Sequence, residues 1–384
     1  MREVVTDVVI PAYNPDRRLL TILERLASQT LPVRRVRLIN TEKEGLDRLL
    51  AKEGSARYPG AVEGVLAGQG APESGEEALI RRYPFLSVTH IHKSEFDHGG
   101  TRNMGVLAAE GADYVVMMTQ DAVPAGDTLI ESLIRPLEEG RARGSDPVTE
   151  HETAGGLEAS KGPVESSDPA AAHDTAGGQE PGTLIAAYAR QLPYEDADTA
   201  EKLSRSFNYS DEPLVKSQKD FQRLGIKTYF CSNVCAAYRR DLLLELGGFP
   251  KDMIFNEDMV FAGRALQAGY RIRYTPEAEV YHSHNYGCMA QFHRNFDLGV
   301  SQAQHPEIFS GTSSEGEGMR YVKAVTARLW ENRELLQIPV FAARCAFRLA
   351  GYRLGKGYEK LPEGLVRRFS SSGAYWDRKF AGKA

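Results

Sequence analysis

The stretch VVTDVVIPAYN at residues 4–14 contains a predicted strand at 4–11, and the sequence after it alternates helices with further strands. Its β-branched residues are typical of a β-strand. Residues 18–29 then repeat leucine and isoleucine at helical spacing. Further strands are predicted at 33–39, 87–91 and 114–118, with helices around 46–52 and 101–110. This alternation predicts an α/β fold with a doubly wound, mostly parallel sheet and helices on both faces.

The fourth of these strands, YVVMM at 114–118, is nearly all apolar. Such a run is expected where both faces of a sheet are covered. In doubly wound sheets, ligands bind beyond the carboxyl ends of the strands. The polar side chains that follow the strands are therefore the first candidates for a functional site.

Three strands are followed by clusters of turn-forming and polar residues. A rigid turn with an aromatic ring suits the face of a nucleobase, and an amide with a carboxylate suits its polar edge. The sequence has no P-loop and no G-x-G-x-x-G motif, so neither a kinase-like nor a dinucleotide site is indicated. Ordinary turn chemistry is the alternative for any single cluster. The side chains are Pro11, Ala12, Tyr13 and Asn14 after the first strand, Asn40 and Glu42 after the second, and Gln120 and Asp121 after the fourth.

The composition of the 384-residue chain is that of a globular enzyme. Hydrophobic residues make up 42% and charged residues 26%, which excludes wholesale disorder, collagen and disulfide scaffolds. The net charge of −5 does not favour binding of nucleic acid. Four scattered cysteines suit a reducing compartment. Because we identify neither a signal peptide nor an apolar run of roughly 18 residues, the chain is predicted to be cytoplasmic.

Two regions depart from this average. Residues 140–182 contain no aromatic residue and few aliphatic ones, so they bury too little apolar area to offset the entropy of ordering. We predict a flexible low-complexity insertion there, with a partner-binding loop as the alternative.

Residues 319–384 carry 14 basic and 5 acidic residues, a net charge of +9 that leaves −14 for the rest of the chain. Their amphipathic helices form either an ordinary appendage or a surface for anionic lipid.

The segment VVIPAYN at 8–14 resembles the opening of family 2 glycosyltransferases, which are inverting enzymes of the GT-A fold. The segments FDHGGTRN at 96–103, TQDAVP at 119–124 and FNED at 255–258 resemble its bacterial rhamnosyltransferase-like branch. The resemblance covers about residues 1–310, which predicts a catalytic domain there and a basic C-terminal helical region at 311–384. It implies that the first half binds a nucleoside-diphosphate sugar and that the second half supplies the acceptor site and a catalytic base.

The resemblance implies a metal site at Asp121. The family's D-x-D motif falls at residues 120–122, where only Asp121 is a carboxylate. A divalent cation, Mg²⁺ or Mn²⁺, would need oxygen ligands and would bridge the donor diphosphate. Some GT-A enzymes add a histidine, and alignment favours His282 over His284. The alternative for each histidine is a purely structural role. The alternative for Asp121 is that it caps the following turn.

The segment that contains His98, Gly99, Arg102 and Asn103 suits a phosphate. Glycine lets the backbone approach a ligand closely, and a helix start presents free N–H groups. The guanidinium of Arg102 adds a fork for phosphate oxygens. The resemblance implies that Arg102 and Asn103 lie beside the donor, with a surface arginine and helix cap as the alternative.

Asp258 is the catalytic base that the resemblance implies, with Glu257 positioning the acceptor or donor. Both residues begin a predicted helix, whose dipole keeps a carboxylate ionised. An ionised carboxylate suits a base that accepts a proton from the attacking hydroxyl. Acidic residues in a first helical turn also occur for stability alone. After the insertion, Arg190 is placed by the resemblance at the diphosphate and Gln191 at the sugar.

These predictions together indicate a metal-assisted inverting glycosyltransferase. It would transfer a sugar, L-rhamnose from dTDP-L-rhamnose, to a saccharide or lipid-linked saccharide in the synthesis of bacterial cell-surface polysaccharide. One alternative keeps the fold and uses a UDP- or GDP-sugar donor. Another is a non-catalytic saccharide- or nucleotide-binding module. No nucleic acid partner is expected, and residues 319–384 would attach the chain peripherally to the inner face of the cell membrane.

Overall fold

A computed structural model of the chain describes residues 4–57, 75–143, 182–311 and 314–381. Its strands are β1 (Thr6–Tyr13), β2 (Arg35–Thr41), β3 (Leu86–Ile91), β4 (Tyr114–Met118), β5 (Val123–Pro124), β6 (Leu184–Leu192), β7 (Leu214–Lys216), β8 (Cys235–Arg239) and β9 (Arg271–Tyr281). Its helices are α1 (Arg17–Ala27), α2 (Lys43–Arg57), α3 (Gly75–Arg82), α4 (His98–Ala108), α5 (Leu129–Arg143), α6 (Thr199–Asn208), α7 (Phe221–Leu224), α8 (Arg240–Glu245), α9 (Glu257–Gln267), α10 (Cys288–Gln304), α11 (Pro306–Phe309), α12 (Ser314–Glu331), α13 (Gln337–Lys356), α14 (Glu363–Phe369) and α15 (Gly373–Ala381).

Within the described residues, the strands form a mixed sheet in the order β3-β2-β1-β4-β8-β6-β9-β5, and β7 pairs with β9. The half that contains β3, β2, β1 and β4 is parallel. Strand β8 enters antiparallel between β4 and β6, and β6 runs parallel to β9. The carboxyl ends of β1, β2 and β4 therefore lie at one edge, as the sequence predicts.

The sheet is covered on both faces, as the apolar fourth strand predicts. Along β1, Val8 and Ile10 pack into one core with residues of α1 and α5. Val9, which lies between them, packs into a second core with residues of α4 and α9. Because successive side chains of a strand point to opposite faces, one apolar strand contributes to both cores.

Several predicted boundaries differ from the structure. The second strand, predicted at 33–39, runs from 35 to 41 and therefore contains Asn40. The first strand does not end at Pro11 but continues to Tyr13, because residues 11–13 pair with residues 39–41 of β2. Helix α4 begins three residues before the predicted residue 101, because the side chain of Asp97 caps it by accepting the N–H of Gly100. Of the predicted insertion at 140–182, residues 144–181 lie outside the described residues.

The C-terminal helices pack closely on the rest of the chain. Helix α13 crosses α10 in backbone contact, since a Cβ on Gly355 would lie 2.1 Å from the carbonyl oxygen of Phe296. Trp376 of α15 is fully buried in a cluster with Phe296. Among the described helices, none has both the length and the apolarity that a membrane span needs. The proposed division at residue 310 stays a prediction.

Candidate active site

Asp121, His282 and His284 meet beyond the ends of β4 and β9. The carboxylate of Asp121 lies 3.3 Å from Nε2 of His284 and 3.7 Å from Nε2 of His282. The two Nε2 atoms are 3.1 Å apart, and one ligand atom from each residue lies within 4.8 Å of the others. A carboxylate and two imidazoles are a donor set that fits a divalent cation. The sequence favoured His282 over His284, and the structure brings both to the same carboxylate.

The two histidines are held in the neutral form that binds a metal. Burial, reinforced by the charge of Arg205, lowers the pKa of His282 well below its usual value. Burial also lowers the pKa of His284, against the opposing effect of Asp121. Nδ1 of His282 lies 2.9 Å from the amide oxygen of Gln191, to which it donates, so its Nε2 presents a lone pair to Asp121. A second-shell hydrogen bond of this kind orients a metal-binding imidazole.

Three arginines near this cluster were missed by the sequence analysis. Nη1 of Arg18 lies 3.8 Å from the carboxylate of Asp121. The charges of Arg205, Arg294 and Arg18 all contribute to the lowered pKa of His282. Guanidinium groups suit phosphate oxygens, so the surroundings favour a diphosphate. The available signal was the position of Arg18, in the first turn of the helix that follows the first strand.

Glu257 and Asp258 begin helix α9 in different surroundings. Glu257 is buried, and its Oε1 lies 3.1 Å from Nη1 of the buried Arg102 and 3.2 Å from Nδ2 of Asn233. Asp258 is half-buried and accepts the backbone N–H groups of Asn233, at 3.0 Å, and Met259, at 2.8 Å. Glu257 is thus neutralised by an ion pair, whereas Asp258 has no such partner among the ion pairs of the described residues.

These surroundings move the two pKa values apart. Burial, together with the adjacent charge of Glu257, raises the pKa of Asp258 to about 7. Burial would also raise the pKa of Glu257, but the charges of Arg102 and His98 outweigh it and lower that pKa. Two carboxyl groups with separated pKa values are the usual arrangement where one is a permanent charge and the other exchanges a proton. Asp258 is therefore suited to general-base chemistry near neutral pH.

Ser232 and Asn233, which lie just before β8, link the carboxylate pair to the histidine cluster. The backbone N–H of Asn233 donates to Asp258. Its neighbour Ser232 accepts a hydrogen bond of 3.0 Å from the amide nitrogen of Gln191, whose oxygen accepts from His282. The sequence analysis identified neither Ser232 nor Asn233. Their contacts place Asp258 and the candidate metal ligands in one connected site.

Gly99 and Asn103 contact protein backbone, which differs from the expected approach to a ligand. A Cβ on Gly99 would lie 1.8 Å from the carbonyl oxygen of Pro250. The amide of Asn103 donates to the carbonyl of Phe249 at 2.7 Å and accepts its N–H at 2.9 Å. Both residues therefore lock helix α4 onto the loop that precedes α9. Their predicted place beside the donor has no support from these contacts.

Substituting Gly99 tests this close packing. Gly99→Ala is expected to lower the free energy of unfolding by about 1–3 kcal/mol, because the added methyl group overlaps a backbone carbonyl. Denaturant unfolding monitored by circular dichroism measures the change. Gly126→Ala is the matched control, since a Cβ there has nothing within 4 Å. Equal stability of the two variants would contradict the tight contact.

His98 and Arg102 lie beside the carboxylate pair of Glu257 and Asp258. Nη1 of Arg102 donates to the carbonyl of His98 at 2.9 Å and pairs with Glu257, so the arginine supports the carboxylates. Its buried Nε has no hydrogen-bond partner among the described residues. Burial lowers the pKa of His98, whose ring packs edge-on against Phe96. The expected contact of Arg102 with phosphate stays a prediction.

The ends of β1 and β2 form an open surface with one exposed aromatic ring. Tyr13 is 44% exposed. Its backbone N–H donates to the amide oxygen of Gln120 at 2.8 Å, and its carbonyl accepts from the amide nitrogen of Gln120 at 3.0 Å. Pro11 and Ala12 lie within β1 and shape its end. Gln120 is thus occupied by protein, while the ring of Tyr13 remains available to a planar ligand.

Asn14, Asn40 and Glu42 fix the backbone at this edge. The oxygen of Asn14 accepts from Arg48 at 2.7 Å. Asn40 donates to the carbonyl of Glu42 at 3.0 Å, and its buried oxygen has no hydrogen-bond partner among the described residues. The carboxylate of Glu42 accepts the N–H of Lys93 at 2.5 Å. The oxygen of Asn40 and the hydroxyl of Thr41 are both buried acceptors at this edge without a hydrogen-bond partner among the described residues.

Arg190 and Gln191 are neighbours on β6, and only Gln191 contacts the cluster directly. The guanidinium of Arg190 pairs with Asp211 at 2.5 Å and with Glu279 at 3.5 Å. Its charge is therefore already balanced by two carboxylates, which does not support the expected pairing with diphosphate. Gln191 contacts His282 and so lies beside the candidate metal ligands.

The mixed, mostly parallel sheet, with polar clusters beyond its strand ends, has the architecture of the GT-A fold. No protein-family model matches the chain. Among solved structures, it is similar to the mannosyltransferase PcManGT from Pyrobaculum calidifontis, in complex with GDP-Man and Mn²⁺, with a TM-score of 0.51. That likeness covers 94% of this chain and 89% of the other at 15% identity, and it concerns the fold.

Two curated relatives narrow the class. The chain is 37% identical over 295 residues to the O-antigen chain rhamnosyltransferase RfbN of Salmonella typhimurium. The aligned residues cover 76% of this chain and 80% of RfbN. It is also 37% identical over 294 residues to the O-antigen chain rhamnosyltransferase WbaN of Salmonella anatum, covering 76% and 79%. The chain belongs to the family of these rhamnosyltransferases. The predicted family, fold class and enzyme class are confirmed.

Proposed function

We propose that the enzyme transfers L-rhamnose from dTDP-L-rhamnose, with inversion, to a saccharide or lipid-linked saccharide of a bacterial cell-surface polysaccharide. The observation that carries this proposal is the 37% identity with two O-antigen chain rhamnosyltransferases over 76% of the chain. The exposed ring of Tyr13 and the unsatisfied oxygen of Asn40 support a nucleobase site at the edge of β1 and β2.

In the proposed reaction, Asp258 accepts the proton of the acceptor hydroxyl while that oxygen attacks the anomeric carbon. The bond from this carbon to the donor diphosphate breaks, and the nucleoside diphosphate leaves. Glu257 stays ionised beside Arg102 and raises the affinity of Asp258 for the proton. Arg18 and Arg294 supply positive charge near the diphosphate. A direct displacement of this kind needs a base and no covalent intermediate on the protein.

We propose that Asp121, His282 and His284 hold Mg²⁺ or Mn²⁺ during this reaction. When bound, the cation would offset the charge that develops on the leaving diphosphate. The fit is supported by the mutual distances of the three side chains and by the Nε2 lone pair that Gln191 directs through Nδ1 of His282. Asp121 is the single carboxylate of this cluster, so the nucleotide itself is expected to complete the coordination.

A panel of nucleotide sugars tests the donor. The purified enzyme is incubated with dTDP-L-rhamnose, UDP-sugars or GDP-sugars, together with a lipid-linked saccharide extract and Mn²⁺. Among these donors, only dTDP-L-rhamnose is expected to release nucleoside diphosphate in a manner that depends on the extract. Turnover with UDP- or GDP-sugars, and none with dTDP-L-rhamnose, would overturn the rhamnose assignment. Donor binding without transfer to any extract would favour a binding module instead.

The pH dependence of transfer follows from the pKa of Asp258. Because that pKa is raised to about 7, the carboxyl is protonated and inactive as a base at lower pH, and ionised at higher pH. We therefore expect kcat/KM to rise with pH and to level off above about 7. Initial rates between roughly pH 5.5 and 9 measure the profile. A flat profile, or one that falls across this interval, would contradict the role of Asp258.

We propose that the surface around α13 attaches the enzyme peripherally to the inner face of the cell membrane. Leu336, Val340 and Phe347 are spaced by four and seven residues, which places them on one helical face, and all three are exposed. Trp330 nearby is 68% exposed. This apolar face lies within a region of net charge +9, so it combines the two attractions that hold amphipathic helices on anionic lipid.

Sedimentation with vesicles tests this surface. Vesicles that contain phosphatidylglycerol are expected to retain the wild-type chain more than the double variant Leu336→Glu and Val340→Glu. Leu107→Glu is the matched control, because Leu107 is also exposed but lies on α4. Equal retention of the wild type and the double variant would remove the membrane proposal, whereas the control is expected to sediment like the wild type.

A further inference from the structure

A cavity of about 470 Å³ lies among the C-terminal helices, outside the site described above. Helices α6, α10, α12 and α13 line it. Its wall combines apolar side chains, such as Leu298, Val322 and Leu349, with the polar side chains of Asn208, Asn295, Glu317, Arg348 and Arg353. Its volume is in the range of cavities that hold small ligands. The apolar part of this wall matches a hydrocarbon chain.

The cavity continues toward the active site. A smaller cleft beside it is lined by His284 and Tyr286, and the two spaces share Tyr321, Cys345 and Arg348 in their walls. The ring of Tyr286 stacks on His284 with centroids 4.8 Å apart. His284 is a member of the candidate metal cluster. A ligand with a polar head at the active site and an apolar tail would therefore find the tail's place in this cavity.

Arg348 supplies a cation where the two spaces join. It is half-buried, and its guanidinium lies over the ring of Tyr321 at 5.1 Å. Among the ion pairs found within the described residues, none includes Arg348, whereas nearby Arg344 pairs with Asp198 at 2.5 Å. A guanidinium without a carboxylate partner at a junction between polar and apolar walls suits a phosphate group.

We propose that this cavity binds the hydrocarbon chain of a lipid-linked acceptor and that Arg348 binds the phosphate between that chain and the saccharide. This inference rests on the proposed function, because it places the acceptor of that reaction. It assigns the hydrocarbon chain to the cavity and the phosphate to Arg348, and it directs the saccharide toward His284 and the active site. The acceptor is thus recognised through its lipid as well as its sugar.

Binding of decyl phosphate and 1-decanol to the full chain, measured by titration calorimetry, tests this assignment. Ala346→Trp fills the cavity and is expected to weaken both probes by at least about tenfold, since excluding two methylene groups already has that effect. Leu349→Gln is expected to weaken both as well. Leu107→Gln is the matched control and should bind like the wild type. Unchanged affinity of the Ala346→Trp variant would overturn the proposal.

The phosphate contact has its own pair of variants. Arg348→Gln is expected to weaken decyl phosphate by about tenfold and to leave 1-decanol unchanged, because only the first probe loses a charge-assisted hydrogen bond. Arg328→Gln, on an exposed arginine of α12, is the control. Equal loss for both probes, or none for either, would overturn the role of Arg348.

Two further measurements separate this inference from its rivals. If a short-chain phosphatidylglycerol displaces decyl phosphate with the same dependence on Ala346 and Arg348, the cavity takes membrane lipid and the acceptor assignment fails. Extract-dependent release of nucleoside diphosphate from dTDP-L-rhamnose reports on the proposed function independently. Decyl phosphate binding that depends on these two residues, in an enzyme without that release, would leave the cavity assigned and overturn the donor.

Discussion

Replacing Asp258 with asparagine is expected to lower kcat by about 10²- to 10⁴-fold, the range that a positioned general base contributes. Asparagine keeps the size of the side chain, and its one oxygen can accept one of the two N–H groups, of Asn233 and Met259, that the two carboxylate oxygens of Asp258 accept, so the fold should survive with a modest loss of stability. It cannot accept the proton of the acceptor hydroxyl. Steady-state transfer at saturating donor measures the loss, and donor affinity is expected to stay within a few-fold of the wild type.

The control for this variant is Asp127→Asn, at an exposed aspartate outside the site. It should transfer at the wild-type rate. A full rate in Asp258→Asn would show that another group takes the proton. Loss of the rate together with a lowered melting temperature would instead indicate a structural role for this carboxylate.

Replacing Asp121 with alanine is expected to weaken Mn²⁺ binding by at least about 100-fold, beyond the effect of losing a second-shell partner. The cluster then keeps two imidazoles and loses its only carboxylate. Activity at low Mn²⁺ should fall by a similar factor and recover in part at high Mn²⁺. Electron paramagnetic resonance of free Mn²⁺, in parallel with activity, measures both.

Gln191→Ala provides a graded comparison for Asp121→Ala. Gln191 does not belong to the cluster, but it orients His282 through a 2.9 Å hydrogen bond. Its removal is expected to weaken Mn²⁺ binding by about 10- to 100-fold. Metal affinity and activity that remain at the wild-type level in Asp121→Ala would contradict the metal site.

Local sequence patterns were sufficient for the first four strands and for the edge at which the site lies. The alternation of Val8, Val9 and Ile10 between two cores follows from the two-residue period of a strand. The position of Asp121 after an apolar strand follows from the same pattern. These features depend on residues within a few positions of one another, which is why one sequence reveals them.

Features that depend on distant parts of the chain were not predictable in the same way. Gly99 and Asn103 contact Phe249 and Pro250, which are about 150 positions away, and no local pattern indicates that packing. Arg190 and Gln191 are adjacent on a strand, so only one of them faces the cluster. Which of the two residues faces the cluster depends on the register of β6 beside β9, and this register cannot be predicted from residue spacing within one strand.

The contribution of Asn233 shows the same limit at the site itself. Its backbone and side chain contact both Asp258 and Glu257 from a segment 24 positions earlier. In the sequence, Asn233 stands between Ser232 and Val234 in a short segment flanked by two cysteines, and no local pattern links it to α9. The contact arises because β8 runs antiparallel beside β4, which brings the preceding residues to the start of α9.

The anomeric configuration of the product tests the central claim most directly. If Asp258 activates the acceptor for a single displacement, the rhamnosyl product formed from dTDP-L-rhamnose has the configuration opposite to that of the donor. Nuclear magnetic resonance of the isolated product determines the one-bond carbon–hydrogen coupling at the anomeric position and hence the configuration. The account predicts inversion. A product with retained configuration would contradict it.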